Sequence, residues 1–142
     1  MKITNIGAAR AVVFEYKNNE VYYLLFNGYA LFEITDKYGN DYMEKMTVDG
    51  EESFNMILGI LTILSKQGEL ARRAIGLEAT ETFEPVEIDL LTISPAEILA
   101  FKSICLDAIT LGFRREITDK DEEIDLGLVE LQKKNPGPER NT

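Results

Sequence analysis

Apolar residues recur at helical spacing near the middle of the 142-residue chain, and this pattern limits the folds open to it. One face of the helix carries Phe54, Ile57, Leu58, Leu61 and Leu64, and a second apolar line beside it carries Met56, Ile60 and Ile63. The apolar arc is wider than a helix with a single packing partner needs. Such a helix either lies at the centre of the core or offers a second face to a partner. The pattern favours the central position and keeps the partner-facing position as the alternative.

Local signals place the ends of this helix. Asp49 followed by Glu52 has the spacing of a capping box, and together with the apolar pattern it predicts a helix over 50–66. The Gln67-Gly68 pair then interrupts the pattern. The next apolar segment, 69–75, is therefore predicted to be a separate short helix.

The clearest helix start in the chain lies further on. Ser94, Pro95 and Glu97 combine an N-cap, a proline at the first helical position and the acid that closes a capping box. Apolar residues then recur at helical spacing, which predicts a helix over 95–113. Cys105 falls on the apolar side of this helix, with no histidine or lysine in register, and is predicted to be a buried structural thiol.

The N-terminal part of the chain has the composition of β-strands. β-Branched and aromatic runs at 11–16 and 21–26, joined by a turn at Asn18-Asn19, predict a β-hairpin over 11–26. The run 2–6 is a candidate third strand. The hairpin is therefore expected to contain two or three strands.

A short helix is predicted directly after the hairpin. Asn27 is a good N-cap and Gly39 stands where a helix C-cap belongs, so the helix is expected over 28–38. All these elements together predict an α+β fold, in which the N-terminal hairpin is followed by a mainly helical body of about four helices. The length fits a single domain, expected over residues 1–115.

Residues 116–142 differ in composition from the rest of the chain. The part at 116–130 holds seven acids and one lysine, and so carries −6 while the formal net charge of the whole chain is −10. We expect an acidic C-terminal tail that is partly helical or disordered. Acids within 119–130 fall at ligand positions of an EF-hand loop, but Ile124 stands where that loop requires glycine. The pattern therefore favours a solvated acidic run over a calcium site.

The composition excludes many enzyme classes. The chain has no histidine and one cysteine, so it has no His-containing catalytic triad, no His metal ligand and no thiolate cluster. The negative net charge argues against binding to a nucleic-acid backbone, and no glycine-rich phosphate loop, membrane span or secretory signal is visible. We expect a cytoplasmic, non-enzymatic protein with no cofactor, no metal, and no nucleic-acid or membrane partner.

The order of these features resembles that of the tail assembly chaperones of long-tailed phages and prophages. A hairpin ending in 22–27 leads into a helix closed by Tyr38-Gly39, which is followed by an apolar helix and by a later helix with a Ser-Pro-Ala-Glu start. The resemblance covers roughly residues 10–115, and its best local signature is 30–39. It implies a chaperone that binds the helical, aggregation-prone tape-measure protein and helps recruit tail-tube subunits. Such proteins act in the host cytoplasm and are absent from the mature virion.

On this resemblance, the second apolar line of the central helix is predicted to contact the partner, because a wide apolar face can hold a partner helix in a groove. The predicted contact residues are Met56, Ile60 and Ile63. Three other functions stay open: an acidic immunity or inhibitor protein that binds a basic toxin or nuclease, an enzyme that uses carboxylates alone, and a structural phage head–tail component. Formation of a homo-oligomer also stays open at this stage.

Overall fold

The computed structural model of the chain describes residues 1–16, 20–77, 91–114 and 122–123. Within these residues, three strands are followed by four helices and a last, two-residue strand. The bounds are β1 Lys2–Ile6, β2 Ala9–Tyr16, β3 Glu20–Leu24, α1 Gly28–Tyr38, α2 Tyr42–Thr47, α3 Glu51–Ala74, α4 Pro95–Phe113 and β4 Glu122–Glu123. This arrangement confirms the predicted α+β fold.

The strands form one sheet with the order β3-β2-β1-β4. β1, β2 and β3 pair antiparallel, which confirms both the hairpin and the candidate third strand. The predicted turn at Asn18-Asn19 lies outside the described residues. β4 pairs parallel with β1, so that Lys2 lies opposite Glu122. This short pairing falls within the segment predicted to be an acidic tail, whose other residues also lie outside the described part of the chain.

Both faces of the three-stranded sheet are buried. Ile3, Val12 and Leu24 lie side by side across the strands and belong to the main core, where they meet the helices. Because neighbouring residues of a strand point to opposite faces, Ala11 and Tyr23 lie on the other side. There they join a second, smaller apolar cluster that also packs against the end of α3.

Two helices begin as their capping chemistry predicts. The Asn27 side chain accepts a hydrogen bond from the backbone of Ala30 at 2.9 Å, and Gly39 follows α1 with a positive φ. At α4, the Ser94 hydroxyl accepts from the Glu97 amide at 3.2 Å, and the Glu97 carboxylate accepts from the Ser94 amide at 3.3 Å. These bonds satisfy helix N–H groups that would otherwise have no intrahelical partner.

The long helix α3 corrects one prediction. The sequence indicated two helices, over 50–66 and 69–75, whereas the structure has the single helix Glu51–Ala74 that continues through Gly68. A Cβ atom at position 68 would lie 1.8 Å from the backbone oxygen of Tyr23. Glycine stands here because the helix touches the backbone of β3, and not because the helix ends.

The start of α3 also differs from the prediction. Its N-cap is Gly50, with φ of 145°, and no side chain caps this end, so the capping box from Asp49 to Glu52 does not form. Asp49 is exposed, and its carboxylate lies 4.0 Å from the amine of Lys102 on α4. The backbone at Gly50 has a conformation that favours glycine, which places the helix boundary one residue later than predicted.

α3 also covers the outer edge of the sheet. β3 is an edge strand in the order of the sheet, and the Leu25 amide just after it donates to the Leu64 carbonyl of α3 at 3.1 Å. Beyond this bond, Gly68 meets Tyr23 and Ala71 packs on the second apolar cluster. α3 therefore begins on one face of the sheet and passes its edge, which shields strand groups that could otherwise pair with another chain.

Candidate protein-binding site

The residues predicted to contact a partner lie in the core. Met56, Ile60 and Ile63 are 7%, 0% and 4% exposed, and all three belong to the main apolar cluster. α3 packs against β3, α4, α1 and α2, so its wide apolar arc is covered by other elements of the fold. The central-core interpretation of this arc is therefore correct, and the assignment of Met56, Ile60 and Ile63 as partner contacts is wrong.

Cys105 is also in the core. Its thiol is fully buried and lies 3.7 Å from the Ile57 carbonyl, to which it donates. Burial raises the pKa of the Cys105 thiol, because the thiolate would lose its hydration. A nucleophilic cysteine requires the opposite shift and access to substrate. The structure thus agrees with the predicted structural thiol.

Among the described residues, no three Cys, Asp or Glu side chains are grouped closely enough to hold a metal ion. No described helix combines the length and the apolar character that a membrane span requires.

A buried ion pair lies near the end of α3 and was not predicted from the sequence. The guanidinium of Arg72 lies 3.0 Å from the Glu69 carboxylate and 4.6 Å from the centre of the Tyr23 ring. Arg73 approaches the other oxygen of the same carboxylate at 3.6 Å. The spacing of three residues between Glu69 and Arg72 is the signal that could have revealed the pair. The ion pair holds the end of α3 against the second face of the sheet. The Glu69 and Arg72 side chains are both buried, so they are not accessible to a ligand.

A surface cleft of about 740 Å³ lies where α1, α2 and the start of α3 meet. Its lining includes Lys37 and Lys45 together with acids at the start of α3, so its charged residues have both signs. Lys45 is already engaged, since its amine donates to the Tyr38 carbonyl at 2.6 Å and lies 3.2 Å from the Asp41 carboxylate. Lys45 could therefore bind a charged ligand only by giving up these contacts.

The solvent-facing side of α1, unlike this cleft, exposes large aromatic side chains. Tyr29 and Phe32 are 76% and 66% exposed, although large aromatic side chains usually favour burial. Glu33 and Asp36 are exposed beside them. The four residues have the spacing i, i+3, i+4 and i+7, so they form one stripe along the helix. We call this stripe, Tyr29, Phe32, Glu33 and Asp36, the α1 face.

The opposite side of α1 holds the helix in place. Ala30 and Ile34 are fully buried in the main core, and Leu31 and Tyr38 pack against it. Leu31, Ile34 and Tyr38 have the spacing i, i+3 and i+7 of one helix face, and Tyr29 and Phe32 lie outside that face. Two aromatics on the polar side of an amphipathic helix were the signal that could have identified the α1 face.

Other large apolar side chains are exposed singly. Val48, Leu91, Leu99 and Phe113 are each more than half exposed, and Phe113 packs on Phe26 with ring centres 5.2 Å apart. Single exposed apolar residues are common on protein surfaces. Within the described helices, α1 is the one that exposes two aromatic residues as i, i+3 neighbours, and its solvent face is therefore the candidate binding site.

No protein-family model, no curated protein and no solved structure matches this chain.

Proposed function

We propose that this chain is a non-enzymatic tail assembly chaperone of a long-tailed phage or prophage. It binds the tape-measure protein and helps recruit tail-tube subunits in the host cytoplasm, and it is absent from the mature virion. The proposal begins from the order of sequence features, whose best local signature is 30–39. One structural observation supports it: the helix containing most of that signature exposes Tyr29 and Phe32.

An exposed aromatic pair is suited to protein binding. Aromatic residues are enriched at protein interfaces, and a few of them carry much of the binding energy. The chain keeps a formal net charge of −10, which opposes self-aggregation while apolar residues stay exposed. A chaperone for an aggregation-prone helical protein needs both properties together.

The decisive experiment is co-expression of the full chain with a helical fragment of a tape-measure protein encoded in the same phage or prophage genome. We expect the fragment to stay in the soluble fraction and to co-purify with the chain. Matched controls are the fragment expressed alone and the chain co-expressed with an unrelated coiled coil. A fragment that precipitates equally with and without the chain would contradict the proposal.

Two further readouts separate the alternative functions. Mass spectrometry of purified virions is expected to find tube and tape-measure proteins but not this chain, whereas its presence would favour a head–tail component. The complex with the tape-measure fragment is expected to survive high salt because its contacts are mainly apolar. A complex only with a basic toxin or nuclease, dissociated by salt, would favour an acidic inhibitor.

A further inference from the structure

The α1 face combines two chemistries along one helix. Tyr29 and Phe32 occupy its N-terminal part, and Glu33 and Asp36 extend it towards the C-terminal end. No described residue forms an ion pair or a side-chain hydrogen bond with Glu33 or Asp36. Lys37, next in sequence, lies over the Tyr38 ring, with its amine 5.4 Å from the ring centre. The exposed stripe is therefore aromatic at one end and negatively charged at the other.

We propose that the α1 face binds an amphipathic helix whose apolar stripe continues into lysine or arginine residues about one turn further along. This inference rests on the proposed function and specifies the chemistry of the partner segment. Partner leucine-type side chains would cover Tyr29 and Phe32, and the basic residues would lie opposite Glu33 and Asp36. Charge complementarity sets the direction in which the partner helix lies.

The geometry favours a helix as the bound element. Residues 29 and 36 are seven positions apart, so the stripe is about 10 Å long and straight along the helix axis. A second helix presents a stripe of the same length when its own side chains are spaced by three and four residues. Because Ala30 and Ile34 fix α1 to the core, the face is already formed before the partner arrives.

The charge distribution argues against a second copy of this chain as the occupant. In a symmetric antiparallel pairing, the carboxylates of each α1 face would be desolvated against the aromatic rings of the other copy. In a parallel pairing, like charges would lie opposite each other. Neither arrangement supplies the cation that Glu33 and Asp36 need, and two chains of net charge −10 repel each other.

The test uses the full chain and two synthetic peptides of about 20 residues, long enough to form a helix. Both peptides carry the same leucine stripe, flanked in one by lysine and in the other by glutamate, and binding is followed by fluorescence anisotropy. We expect the lysine peptide to bind more tightly, by up to about twenty-fivefold for two charge pairs, since each exposed pair changes affinity by up to about fivefold. Equal binding, or preference for the glutamate peptide, would overturn the inference.

Variants of the full chain localise the effect. Phe32→Ala is expected to weaken binding of the lysine peptide about tenfold, as truncation of an aromatic interface residue commonly does. The double variant Glu33→Lys and Asp36→Lys is expected to prefer the glutamate peptide. Leu99→Ala, on the exposed surface of α4, and Glu44→Lys, on α2, are the matched controls and should bind as wild type. Unchanged binding by Phe32→Ala would refute the assigned surface.

Two outcomes separate this inference from the proposed function. If the chain keeps the tape-measure fragment soluble and the Phe32→Ala variant does so equally well, the α1 face is refuted and the chaperone function stands. If the lysine peptide binds with the expected preferences but the tape-measure fragment precipitates, the chaperone function is refuted and the face stands. A dimer in sedimentation experiments that Phe32→Ala abolishes would identify a second copy as the occupant and overturn the inference.

Discussion

Replacement of Gly68 by alanine tests whether this glycine serves close packing or merely interrupts a helix. A Cβ atom at position 68 would lie 1.8 Å from the Tyr23 oxygen and 2.6 Å from the Tyr23 carbonyl carbon. Close carbon–oxygen contacts in proteins lie near 3.3 Å, so helix and strand would have to separate by roughly 1.5 Å. The obstacle is backbone and cannot rotate away, as a flexible side chain would.

Two opposing effects set the magnitude. Alanine stabilises the interior of a helix by about 1 kcal/mol relative to glycine. Against this, overpacking costs about 1–3 kcal/mol, and loss of the bond from the Leu25 amide to the Leu64 carbonyl would leave a buried donor unpaired at a further cost of about 1–3 kcal/mol. The net effect of Gly68→Ala is a destabilisation of about 1–5 kcal/mol, which lowers the Tm by roughly 3–15 °C.

Urea unfolding of the full chain, followed by far-UV circular dichroism, measures this free energy. The matched control is Gly28→Ala at the first residue of α1, where an added Cβ would meet no atom within 4 Å. We expect Gly28→Ala to be as stable as wild type or up to about 1 kcal/mol more stable. A Gly68→Ala variant at least as stable as wild type would refute the close-packing argument, because helix propensity alone would then explain the result.

Three further predictions concern the core, the buried ion pair and a buried thiol. Ile60→Ala is expected to lower the free energy of unfolding by about 2–5 kcal/mol, while Phe32→Ala, on the surface, changes it by less than about 0.5 kcal/mol; similar values in urea unfolding would contradict the assigned burial. Arg72→Met removes this cation while Arg73 stays beside the buried Glu69 carboxylate, and it is expected to cost about 1–3 kcal/mol, most of which Glu69→Met in the same chain should restore. Because burial raises the pKa of the Cys105 thiol above its ordinary value of 9.0, only the unfolded chain loses this proton as the pH rises past 9, and stability falls there by up to about 1.4 kcal/mol per pH unit. Urea unfolding of Cys105→Ala between pH 8 and 10 should show a shallower fall than wild type, and equal slopes would contradict the assignment.

The features that could be predicted from sequence are those set by neighbouring residues. Ser94 and Glu97 cap α4 through contacts three residues apart, and Asn27 caps α1 in the same way. Gly68 was misinterpreted because its neighbour Tyr23 is distant in sequence, and no local pattern distinguishes a glycine that ends a helix from one that touches a strand. The burial of Ile60 is equally non-local, since the width of an apolar arc does not reveal how many elements will cover it.

The same reasoning explains why the candidate binding site lies on α1 and not on α3. α3 packs against β3, α4, α1 and α2, so withdrawing Ile60 or Ile63 from the core to meet a partner would cost several kcal/mol for each side chain. α1 uses Ala30 and Ile34 for the fold and leaves Phe32 outside it. A partner that binds the α1 face therefore gains apolar contact without opening the core. On the proposed chaperone function, such a peripheral face also suits release of the partner during assembly, since the free chain remains folded before and after each encounter.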